Sequence, residues 1–147
     1  MQSKLLADRD GLRTFVLVME TGDEAMSCIR AFANQERLAA AQFSGIGAFS
    51  RATLNYFDWE RKEYRGNAVN EQVEVASLIG DVALAPDGSR TVHAHIVLGR
   101  RDSSALAGHL AEGHVRPTLE IILTEAPAHL RKVYDPESRL ALIRPDA

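Results

Sequence analysis

The stretch "EQVEVASLIGDVALAPDGSRTVHAHIVLGR" (71–100) decides the fold. Two runs rich in Val, Ile and Leu flank Pro86-Asp87-Gly88, a turn in which proline presets φ and glycine relieves the backbone. A β-hairpin follows, and with it an antiparallel sheet. Strand side chains alternate between faces, so Val92, Ala94, Ile96 and Leu98 share one face while Thr91, His93, His95 and Val97 share the other. The first set is a core face. The second carries two imidazoles whose Cβ atoms stand about 6 to 7 Å apart by the strand rise, near enough for ring nitrogens to meet at one ion. Geometry permits a metal there without demanding one: a solvent-facing or hydrogen-bonded pair is the commoner outcome, and a metal needs a third ligand and outer partners.

Outward from the hairpin, "RTFVLVME" (13–20) reads as a strand, and Gly22-Asp23 ends it. Asp23 is the expected N-cap of the helix "EAMSCIRAFANQERL", in which Met26, Ile29 and Phe32 or Ala33 recur every three or four residues. "AAAQFSGIGAFSRATLNYFDWE" reads as two extended segments hinged at Gly45-Ile46-Gly47, where glycine suits a bulge or a close backbone approach. After the histidine strand, "RDSSALAGHLAEGHVRP" (101–117) reads as a loop of small residues leading to the strand "TLEIILTEA", with Leu119, Ile121 and Leu123 on its buried face. The last segment, "LRKVYDPESRLALIRP", forms a hairpin around Asp135-Pro136-Glu137-Ser138. The expected architecture is α+β: a mostly antiparallel sheet of about seven strands with one main helix.

A chain of 147 residues that is 46% hydrophobic suits one domain with a real core. Seventeen basic against 20 acidic residues leave a formal net charge of −3, which argues against tight, autonomous binding of phosphate backbones or anionic lipid. Cys28 alone rules out an intramolecular disulfide and a cysteine-rich zinc cluster, and it fits a reducing compartment. No apolar run reaches the ~18 residues of a membrane span, and "MQSKLLADRDG" lacks a signal-peptide core, so a cytoplasmic protein without membrane contact is expected.

Two further histidines, His109 in "AGHLAEG" and His114 in "EGHVRP", follow the histidine strand and are able to fold back over it. Two strand imidazoles plus one from this segment make a workable ligand set for zinc. His109 is preferred, because the preceding glycine lets the backbone approach closely, whereas His114 already leads through Val-Arg-Pro into a strand. His129, in "APAHLRK", has no comparable partners. Glu74 and Glu120 sit on strand faces opposite apolar neighbours; each is a candidate to receive the free N–H of a ligating imidazole or to serve as general base. Glu112 in "LAEGH" is a candidate fourth ligand. Ser44, Ser50 and Ser77 lack a nucleophile elbow, and Arg51, Arg100 and Arg101 lack the interleaved aromatics of a nucleic-acid platform.

Together "SGIGAFSRATLNYFD" (44–58), "EQVEVASLIGDVAL" (71–84), "VHAHIVLGR" (92–100) and "GHLAEGHVRPTLEIILTE" (108–125) resemble the PPC domain, the plant and prokaryote domain. The resemblance runs over 13–143, leaving 1–12 as an N-terminal segment and 144–147 as a tail. It implies a homotrimer and a zinc site on three histidines, here His93, His95 and His109. Bacterial members are labelled DNA-binding by analogy with plant proteins in which an AT-hook arm makes the contact. No such arm occurs in this chain, and "EQVEV" (71–75) stands where the plant phrase carries an arginine, so DNA contact is expected to be weak and no DNA-binding residues are assigned. The domain is also similar in fold to acetolactate decarboxylase, whose zinc lies on a comparable histidine set. That likeness implies an alternative: a small zinc-dependent lyase or hydrolase acting on a carbonyl or carboxylate metabolite.

Overall fold

In the computed structural model, which describes residues 1–126 and 129–146, the decisive hairpin consists of β5 (Val73–Leu84) and β6 (Arg90–Gly99). Chain order adds β1 (Gln2–Arg9), β2 (Leu12–Glu20), α1 (Ala25–Gln35), β3 (Ala40–Asp58) and β4 (Glu63–Val69) before it. After it come β7 (Ala105–Glu125), β8 (Lys132–Asp135) and β9 (Leu140–Ile143). Seven strands form one sheet in the order β1-β2-β7-β6-β5-β3-β4, and β8 and β9 form a separate two-stranded sheet. Every pairing between strands is antiparallel. The fold is therefore the α+β arrangement expected. Because β3 also pairs with β7, the path β3-β5-β6-β7 closes on itself. No helix among the described residues is long and apolar enough to cross a membrane.

Alternation sets the core. Ala94, Ile96 and Leu98 of β6 meet Leu119, Ile121 and Leu123 of β7 and the buried stripe Met26, Ile29, Phe32 and Ala33 of α1 in one apolar cluster. Phe15 of β2 stands edge-on to Phe32, with ring centroids 5.1 Å apart, a favoured aromatic geometry.

Two local expectations are corrected. The helix is capped by Glu24, not Asp23: its carboxylate accepts from the N–H groups of Met26 at 3.0 Å and Ser27 at 2.8 Å, and also from the Gly113 N–H at 3.0 Å. Asp23 is occupied elsewhere, accepting from the Glu20 N–H at 3.0 Å and pairing with the N-terminal ammonium at 2.9 Å. The loop read across 101–117 is mostly strand, since β7 runs unbroken from Ala105 to Glu125. Its small residues look loop-like in sequence because the strand is crowded: a Cβ on Gly108 would stand 3.1 Å from the Asn55 carbonyl oxygen, and one on Gly113 would lie 2.4 Å from the Phe49 ring. Tertiary contact thus overrides weak intrinsic β propensity.

The glycines of β3 answer to the same crowding. The register with β5 slips between Gly45 and Gly47, the signature of a bulge. A Cβ on Gly47 would lie 2.2 Å from the Thr118 carbonyl oxygen and 2.7 Å from the Leu119 Cα, both backbone atoms that cannot swing aside. On the exposed edge strand β4, a Cβ on Gly66 meets nothing closer than Asn55 Oδ1 at 3.5 Å. Gly47→Ala is accordingly expected to cost about 1–3 kcal/mol in urea unfolding through overpacking, while Gly66→Ala stays within about 0.5 kcal/mol of the parent. Equal midpoints for the two variants would contradict this account of the bulge.

Candidate metal centre

The β5–β6 register places Asp81 opposite His93 and Ile79 opposite His95, and β6 in turn pairs with β7 so that His95 faces His109. Paired residues project to the same side, so three imidazoles stand on the sheet face away from the core. Ring centroids lie 5.1 Å apart for His93 and His95, 5.1 Å for His93 and His109, and 5.6 Å for His95 and His109. One nitrogen from each ring falls within 4.8 Å of the other two. His109 thus comes from a strand rung beside His95 rather than from a loop folded back.

The surroundings suit neutral, ligand-ready rings. Asp81 Oδ2 stands 3.4 Å from His93 Nδ1, the place behind an imidazole that a carboxylate takes at a metal-bound histidine. Burial, followed by the neighbouring His93, His95 and Lys132, pushes the His109 pKa down to about 4. Burial and His93 also lower that of His95. His109 Nδ1 is buried without a hydrogen-bond partner, and its ring lies 5.0 Å from that of Tyr64. An orphaned ring nitrogen beside two other imidazoles fits a divalent ion that prefers nitrogen donors, zinc being the commonest. Two cavities meet at the cluster. One, of about 630 Å³, is lined by His93, His95, Asp81, Ile79 and Ser44; the other, of about 370 Å³, is lined by His93, His109, Tyr64 and Lys132.

The carboxylates singled out from sequence lie elsewhere. Glu74 pairs with Gly99 and Ala48, and it shares a separate groove with Glu120, Gly47 and Thr118. Glu74 lies five positions along β5 from Ile79, the partner of His95, or roughly 15 Å of strand. Glu112 is engaged with His114, whose Nε2 is 2.5 Å from its Oε1 and also 3.2 Å from Arg51. His129 is exposed. The outer carboxylate of the site is Asp81, which sequence reasoning missed. Register counting would have found it, because Asp81 and His93 lie equally far from Asp87 at the centre of the turn. Lys132 and Tyr64 carried no comparable signal, as they arrive on other hairpins.

Fold and site together define an antiparallel α+β domain with a three-histidine cluster on its outer sheet face. The chain belongs to the Plants and Prokaryotes Conserved (PCC) domain family, whose model matches residues 7–127. A plant- and prokaryote-conserved protein from Pyrococcus horikoshii is 34% identical, with 90% of this chain and 91% of that one covered at a TM-score of 0.83. A candidate DNA-binding protein from Bacteroides thetaiotaomicron is 25% identical, covering 91% and 93% at 0.87. A metal-containing protein from Archaeoglobus fulgidus is 26% identical, covering 98% and 99% at 0.83. The likeness to acetolactate decarboxylase from Bacillus subtilis, at 12% identity, a TM-score of 0.55 and 61% of that chain, is one of fold alone. No curated protein is a significant match to the chain.

Burial of a neutral His109 has a thermodynamic consequence for the metal-free protein. The unfolded chain binds a proton at this residue near pH 6.5, the folded chain only near 4, so between those values the unfolded state holds more protons and stability falls as pH falls. With chelator present, the urea midpoint is expected to drop from pH 6.5 to 4, and to drop less steeply in His109→Gln. Parallel pH profiles for the two proteins would exclude a buried neutral imidazole at this position.

Proposed function

We propose that this chain is a metal-holding regulatory module of transcription-associated type, working as a cytoplasmic homotrimer with zinc on His93, His95 and His109. The observation that carries this reading is the convergence of three imidazole nitrogens within 4.8 Å, and the Archaeoglobus relative called metal-containing supports it. Asp81 orients His93, and burial keeps His109 in the form that binds metal. Self-assembly is supported by an apolar set on the histidine-bearing face: Ile46, Ile79 and Ile122 are 62%, 57% and 46% exposed, and Ile79 and Ile122 line one cavity with His93 and His95, as apolar residues at contact surfaces do.

DNA is the partner suggested by the relatives described as candidate DNA-binding proteins. This chain's own contribution to such contact is small. Arg100 is bound to Glu71 at 2.8 Å and Arg65 to Asp58 at 2.9 Å, and a net charge of −3 supplies little of the cation excess on which phosphate affinity rests.

A second reading, a metal-dependent enzyme acting on a carbonyl or carboxylate metabolite, is favoured by the two cavities that open at the histidines. An ion held there by three protein ligands supplies Lewis acidity toward a carbonyl oxygen. Asp81 keeps His93 in place, and Glu74 and Glu120, in their separate groove, do not reach the reacting position.

Purified protein is expected to hold close to one zinc per chain by elemental analysis, and the double change His93→Ala, His95→Ala to remove it; zinc retained by that variant would refute the centre. In gel-shift assays, duplex DNA binding should be weak and vanish at physiological salt, since few phosphate contacts are available. Tight, salt-resistant binding would mean that a cationic surface has been overlooked.

A further inference from the structure

The β8–β9 hairpin lies beside the histidine cluster and is tied to the main sheet by a hydrogen bond from the Leu84 N–H to the Leu130 carbonyl at 2.8 Å. It carries Lys132 into the smaller cavity, alongside His93, His109 and Tyr64, while Leu140, Leu142 and Ile143 form an apolar wall. We propose that Lys132 is the recognition group for a small aliphatic monocarboxylate that binds in this cavity next to the three-histidine centre. The proposal rests on the metal-holding reading above and names the ligand class of that site.

Three observations carry it. The Lys132 side chain is only 11% exposed, and the nearest acid among the described residues is Asp81, whose Oδ1 stands 3.9 Å from the ammonium nitrogen, beyond hydrogen-bond distance. Lysine is rarely shielded from water this far unless closely paired, and an ammonium with three donors and only one carboxylate nearby, at 3.9 Å, has donors left for an incoming anion. Asp81 is shared between two groups: Oδ2 stands 3.4 Å from His93 Nδ1, while Oδ1, the atom nearest the ammonium, is buried and makes no hydrogen bond.

Charge points the same way. Three neutral imidazoles leave a divalent ion's charge uncompensated, and Asp81 and Lys132 offset one another, so the loaded site is cationic and favours an anion. The walls then choose among anions. The cavity is about 370 Å³ and has one lysine and no arginine among its described lining residues, which suits a single carboxylate better than a phosphate demanding several donors. Leu142 and Ile143, 39% and 37% exposed, would lose apolar surface to a short aliphatic tail.

The test uses cobalt(II) in place of zinc, with its visible absorption as the readout, and titrates the loaded protein with 3-methylbutanoate and with the isosteric 3-methylbutanamide. The acid should give a saturable spectral change, with the amide at least about tenfold weaker because a charge-assisted contact is lost. Lys132→Met should raise the acid's Kd by at least about tenfold at unchanged cobalt content. Lys132→Arg should retain binding, and Lys4→Met on the exposed edge strand should change nothing. Wild-type protein that takes up no cobalt would overturn the metal reading and this proposal with it. Protein that takes up cobalt yet binds acid and amide alike, or binds the acid undiminished after Lys132→Met, would overturn the proposal alone and leave Lys132 as a counterion to Asp81.

Discussion

Backbone hydrogen bonding on both edges of β6 is the constraint from which the site follows. One edge pairs with β5 and sets Asp81 against His93; the other pairs with β7 and sets His109 against His95. A slip of one residue on either edge would turn a whole strand's side chains to the opposite face, and it would also drive the core row Ala94, Ile96 and Leu98 into water. The apolar row therefore protects the polar one. The histidines are held in register by the hydrophobic effect acting on their neighbours, so no interaction among the rings themselves is required to gather them.

That arrangement has a local cost. Three imidazoles crowd together with centroids 5.1 to 5.6 Å apart, burial and the neighbouring rings disfavour protonation of His95 and His109, and Asp81 Oδ1 and His109 Nδ1 stay buried without hydrogen-bond partners. Native interiors leave few such groups, and where they cluster the arrangement is better explained by binding than by stability. The rest of the fold offsets the cost. The 21-residue strand β7 pairs with three neighbouring strands, and the packed cluster of α1, β2, β6 and β7 supplies the burial that holds the sheet together.

The face that bears the histidines is also the face that exposes Ile46, Ile79 and Ile122. The exposed apolar surface is thus contiguous with the histidine cluster, since Ile79 lines the larger cavity with His93 and His95. In the homotrimer proposed above, closing the apolar surface would also change the solvent around the metal centre. Ligand occupancy and assembly would then be linked through one face of one sheet.

Much was legible from the chain alone, for reasons that are local. Alternation over 91–98 shows which side the histidines take, the Pro86-Asp87-Gly88 turn specifies an antiparallel hairpin, and the periodicity of Met26, Ile29 and Phe32 marks the one helix. Each of these depends only on residues within a few positions of one another. The strand character of 105–117 was hidden, because small residues are read as loop until Phe49 and Asn55 are seen pressing on Gly113 and Gly108. Glu74 and Glu120 share the histidines' sheet face yet lie in a different groove, since face is a matter of parity whereas position along a strand depends on pairing with distant segments. Asp81, Tyr64 and Lys132 reach the centre from three separate strands, and only long-range register and the docking of the last hairpin bring them there. Pattern along the chain therefore determined the faces of the strands. The company each face keeps was decided by the tertiary structure, because it depends on contacts between residues far apart in sequence that no local periodicity encodes.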